Sequence, residues 1–91
     1  MSKKQTIEIA LEVYEEKKQF QEHFISKVDP KPVDEMTGNI YFGSGLFNVR
    51  VDELSDRTKQ IIKQLVLSDM ESSLYDTTEQ IEVLKFELGK L

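Results

Sequence analysis

The chain has 91 residues, one small domain whose folding buries only about 60% of the surface the unfolded chain exposes. It has no cysteine and a single histidine, so disulfides and thiolate metal sites are excluded, and a metal would have to rely on carboxylates. A net charge of −5 with 32% charged and 38% hydrophobic residues suits a soluble helical protein, and it argues against binding to nucleic-acid phosphates or an anionic membrane surface.

The first element is a helix over residues 3–28. Ser2 and Gln5 form a capping-box pair at its start, where hydroxyl and amide satisfy free backbone donors. Ile7, Ala10, Leu11, Tyr14, Phe20, Phe24, Ile25 and Val28 follow at helical spacing and define one buried face. Pro30 disfavours helical geometry at Asp29 and ends the helix. Basic residues near the N-terminus are followed by no continuous apolar run, so a signal peptide is not expected and a cytoplasmic location is the default. No apolar run approaches the roughly 20 residues of a membrane span.

Residues 29–38 form a loop holding Pro30 and Pro32 and ending at Thr37–Gly38. Over 39–51 the period becomes two. Ile40, Phe42, Phe47, Val49 and Val51 alternate with Tyr41, Asn48 and Arg50, which predicts a β-hairpin turned at Gly43-Ser44-Gly45. The glycine tripeptide is not a phosphate cradle, because strand-like residues follow it rather than a helix. A lone hairpin is marginal in water and must lean on helices or on another chain.

A long helix over 53–90 comes last, with Asp52 as the expected N-cap and Glu53 and Asp56 at its acidic start. Leu54, Ile61, Ile62, Leu65 and Val66 open its apolar pattern. Leu67, Met70, Leu74, Ile81, Leu84, Leu88 and Leu91 continue it with heptad spacing, interrupted only by Thr77. No Gly or Pro occurs between Gly45 and Gly89. A break near 72–77, with Asp76 or Thr77 as a new cap, competes with one continuous helix. The continuous reading is preferred because the stripe keeps its phase.

The expected fold is therefore mainly α with a small β-hairpin, in the order helix, hairpin, long helix, with the two helical arms antiparallel and coiled-coil-like. With Ile40 to Asp52 leading into a helix, this order resembles the layout of prefoldin-like subunits. The resemblance is one of element order alone.

No catalytic constellation, cofactor motif or metal-ligand set is expected. His23 lacks a nucleophile partner. The adjacent carboxylates Glu15-Glu16, Asp34-Glu35 and Asp52-Glu53 do not share a face on a helix. The heptad residues Leu67, Met70, Leu74, Ile81, Leu84 and Leu88 are the expected interface to a second copy or a protein partner. Tyr75, Val83 and Phe86 form a second apolar set on the same helix, which strengthens the expectation of a homodimer. Residues 52–91 carry nine acids and five bases. Asp76, Glu79 and Glu82 are therefore a candidate acidic surface, able to imitate phosphates toward a nucleic-acid-processing enzyme, as small phage and mobile-element proteins do. Tyr41 and Phe42 are candidate hairpin contacts. The chain is thus expected to be a non-enzymatic interaction protein of 1–91, a homodimeric accessory or regulatory protein, with an acidic inhibitor as the alternative. Direct binding to nucleic acid or membrane is not expected.

Overall fold

A computed structural model describes residues 1–42 and 47–91; the side chains of Phe42 and Phe47 lie outside the described set, as do the expected turn at Gly43-Ser44-Gly45 and Leu46. The order is α1 (Lys3–Val28), β1 (Asn39–Phe42), β2 (Phe47–Arg50) and α2 (Asp56–Gly89), with short 3-10 turns at Val33–Glu35 and Val51–Glu53. The expected mainly helical fold with a hairpin between two packed helices is the observed one.

The start of α1 follows from two side chains. Ser2 Oγ accepts from the Gln5 amide at 3.2 Å, and Gln5 Oε1 accepts from the Ser2 amide at 3.0 Å. Together they satisfy two of the free donors at a helix start. The helix ends at Val28, with Asp29 as its C-cap and Pro30 behind it.

The two strands pair antiparallel, Ile40 opposite Val49 and Tyr41 opposite Asn48. Ile40 and Val49 are half-buried, whereas Tyr41 and Asn48 are exposed. This is the alternation that period two demands. Gly38 has φ of 116°, a left-handed conformation that favours glycine. Its carbonyl accepts the Val51 amide at 2.9 Å, and Val51 is only 5% exposed.

That docking of Val51 corrects one expectation. Asp52 does not cap α2. Residues 51–53 tighten into a 3-10 turn, and the Asp52 carboxylate instead accepts the Arg50 guanidinium at 2.7 Å. The α-helix waits for Ser55, whose Oγ accepts the Thr58 amide at 3.2 Å. Asp56 occupies the first turn as expected, while Glu53 precedes the helix and lies 3.6 Å from Arg50.

The helix α2 is continuous for 34 residues, with no break at 72–77. Thr77 and Thr78, which could have capped a second helix, turn their hydroxyls back on the helix. Each donates to the carbonyl four residues earlier, Ser73 and Leu74, at 2.9 Å. Such back-bonding lets hydroxyl residues sit inside a helix.

The arms run antiparallel because the loop and hairpin join them at one end. Lys63 Nζ donates to the Lys31 carbonyl at 2.8 Å near that end, Gln21 meets Ser73 in the middle, and Lys85 lies 4.0 Å from Glu15 farther along. The pair at Lys85 is exposed and contributes under about 1 kcal/mol. The molecule measures 54 × 30 × 15 Å with a radius of gyration of 17.9 Å, against about 12 Å for a compact chain of this length.

The middle of the helix pair is polar. Gln21 is only 3% exposed, and its Nε2 donates to Ser73 Oγ at 2.7 Å. Its Oε1 is buried and finds no partner among the described residues. An orphaned buried acceptor costs about 1–3 kcal/mol. Gln21→Leu is therefore expected to stabilise the protein by about 1 kcal/mol, since Ser73 is only half-buried and can turn to water. Urea denaturation of the two proteins checks this; a lower midpoint for the leucine variant would show that the Gln21–Ser73 bond outweighs the orphan.

Candidate interaction surface

The helix α2 carries two apolar faces on opposite sides. The inner face holds Leu67, Met70, Leu74, Thr77, Ile81, Leu84 and Leu88. Ile81 and Thr77 are buried and the others half-buried, while Leu91 is exposed. This is the heptad seam expected to meet a second copy or a partner. In the structure its occupant is α1 of the same chain, brought there by the antiparallel pairing. Ile81 is 5% exposed, so an interface between copies that used it would require α1 to lift away.

The outer face holds Ile61, Leu65, Tyr75, Val83 and Phe86, each between 51% and 66% exposed. Tyr75, Val83 and Phe86 are legible in the sequence as a set off the seam. Ile61 and Leu65 are not, because in sequence they fall in with their half-buried neighbour Ile62 as part of the core pattern. The missing signal is a second heptad: Ile61, Leu65, Ser68, Ser72, Tyr75 and Glu79 repeat at alternating spacings of four and three, the same rhythm as the inner seam. Three of its six positions, Ser68, Ser72 and Glu79, are polar, so its rhythm does not show as an apolar stripe.

On α1 the structure makes a parallel correction. Phe20, expected in the buried stripe, is exposed, as are Ile9 and Val13. Phe20 is one helical step away from the face of Ile7, Tyr14 and Gln21 that meets α2.

Asp76, Glu79 and Glu82 are all exposed. Glu79, Gln80, Glu82, Val83 and Phe86 line one shallow open groove, so acid and apolar groups share a surface. The field there is negative. The charge of Glu79 above all, joined by Asp76 and Glu82, pushes the Tyr75 phenol above its ordinary value of 10.0. The Phe86 ring in turn has Lys90 Nζ 4.4 Å from its centre, a contact worth about 0.5–1 kcal/mol at an exposed site.

Tyr41 on the hairpin is 62% exposed; Phe42, named with it as a contact, has its side chain outside the described set. His23 is exposed on α1. Among the described residues no group of three His, Asp or Glu side chains could hold a metal ion, and no helix is long and apolar enough to cross a membrane.

No protein family, no curated protein and no solved structure matches this chain.

Proposed function

We propose that this chain is a non-enzymatic protein–protein interaction module, a homodimeric accessory or regulatory protein. The observation that carries this reading is the imbalance between covered and uncovered apolar groups. Among the described residues only Ile7, Val51 and Ile81 form a fully buried apolar core, while large apolar side chains line the outer faces of both helices. Contiguous exposed apolar surface on a small protein marks contact with another protein. Light scattering after size exclusion tests the homodimer directly. A mass near twice 10.6 kDa is expected, and a folded monomer at about 300 µM, a concentration at which a specific micromolar dimer would be assembled, counts against it.

A second reading is favoured by the clustering of Asp76, Glu79 and Glu82 beside Tyr75. In it the acidic groove occupies the nucleic-acid site of an enzyme. Replacing the three acids by Asn, Gln and Gln is then expected to abolish binding to that enzyme, and affinity is expected to fall steeply with salt as the attraction is screened. Binding that survives about 0.5 M salt, where the screening length is under about 5 Å, removes this reading.

A further inference from the structure

We propose that the outer face of α2 receives the same face of a second copy, antiparallel, about a two-fold axis passing between Ser73 and Leu74. This rests on the homodimer reading and names its surface.

The first support is area. The chain exposes 6932 Å², whereas a compact monomer of its mass exposes roughly 5,500 Å². The excess, roughly 1,400 Å², exceeds the about 800 Å² per partner that a stable dimer covers. The outer face from Ile61 to Phe86 is about 38 Å long at 1.5 Å per residue; it is apolar at Ile61, Leu65, Tyr75, Val83 and Phe86 with Ser68, Ser72 and Glu79 between them, and it lies opposite the face that α1 covers.

The second support is self-complementarity. In an isologous contact each residue must find its match on the same surface. Set antiparallel about that axis, Tyr75 of one copy falls opposite Ser72 of the other, a large side chain against a small one. Ile61 falls opposite Phe86, and Leu65 falls beside Glu82 and Val83. Glu79 falls opposite Ser68. All of these pairs arise from one register.

The third support is charge. A parallel pairing would set Tyr75 against Tyr75 and Glu79 against Glu79 in the seam, and like charges facing each other are destabilising. The antiparallel pairing removes that clash from the seam. It leaves Asp69 and Asp76 of opposite copies as neighbours at the rim. Added salt should therefore tighten this dimer, because it screens repulsion.

The test uses cysteine trapping, which is clean because the chain has no cysteine of its own. Leu65→Cys and Val83→Cys are made separately; cysteine behaves as a small apolar residue, so each site stays apolar. Under mild oxidation the mixture of the two variants is expected to give mixed disulfide dimers, and each variant alone little or none. Raising salt from about 0.05 to 0.5 M is expected to lower the dimer dissociation constant of the parent chain roughly two- to tenfold. Leu65→Glu is expected to raise it at least about 100-fold by putting a charge into a desolvated seam.

Efficient disulfides from each variant alone would show a parallel pairing and overturn the proposal. A dimer by light scattering that traps in neither case would place the interface elsewhere; it overturns this surface and leaves the homodimer reading standing. A dimer that loosens tenfold in salt is held by opposite charges and also overturns it. A folded monomer at about 300 µM overturns this proposal and the homodimer reading together. Should Leu65→Glu unfold the chain, the trapping pattern still decides.

Discussion

Ile81→Asp is expected to unfold the helix pair at 25 °C. Ile81 is 5% exposed and sits on the inner face of α2 against α1. Burying an isoleucine contributes about 1.5–3 kcal/mol. Aspartate forfeits that and puts a carboxylate, too short to reach water along its own stem, where the isoleucine packed, and Lys18 and Lys85, which line the same groove beside Glu15 and Glu22, offset only part of the cost. The combined loss exceeds about 4 kcal/mol. A chain of this length has about 5–13 kcal/mol in total, and three fully buried apolar residues among those described place this one at the low end. Circular dichroism at 222 nm is expected to show most of the helical signal gone. Val13→Asp, on the exposed outer side of α1, is the matched control and should change stability by under about 1 kcal/mol. Equal loss in both would mean that the α1–α2 contact is not the stabilising core.

Val51→Ala is expected to cost about 2–3 kcal/mol, and Tyr41→Ala under about 1 kcal/mol. The two residues border the same hairpin but lie in opposite surroundings. Val51 is 5% exposed and leads from β2 into the turn before α2, whereas Tyr41 points to solvent. Removing Val51's methyl groups leaves a cavity in the turn between β2 and α2, and a small domain has little freedom to close it. Thermal melts of the two variants make the comparison. If Tyr41→Ala proves as damaging as Val51→Ala, the hairpin is covered on both sides and its outer face is not available to a partner. If Tyr41→Ala leaves the melt unchanged but removes a bound protein, that face is a recognition surface.

Much of the fold is legible in local chemistry. The limits of α1 follow from the Ser2–Gln5 capping box and from Pro30, both of which act within one turn of the residues they affect. The change from period 3.6 to period two announces the hairpin. The continuity of α2 follows from the absence of Gly and Pro between Gly45 and Gly89 and from an apolar stripe that keeps its phase across Thr77. Each of these features depends on neighbours in the chain, so the sequence by itself determined them.

Three features were decided only by tertiary structure. The start of α2 moved from Asp52 to Ser55 because Val51 docks into the core and bonds to Gly38, a contact thirteen residues away in the chain. Both residues are good caps, and local propensity could not rank them. The burial of Gln21 and Thr77 ran against their polarity: Gln21 found Ser73 across the closed arms, while Thr77, covered by the same closure, had already satisfied its hydroxyl on the Ser73 carbonyl of its own helix. Most consequential is the choice between the two faces of α2. Both carry a rhythm of three and four, and periodicity states that a face is apolar without stating what covers it. The antiparallel return of the chain through the hairpin gave α1 the Ile81 face. The Tyr75 face was thereby left uncovered, because one helix can cover only one side of another.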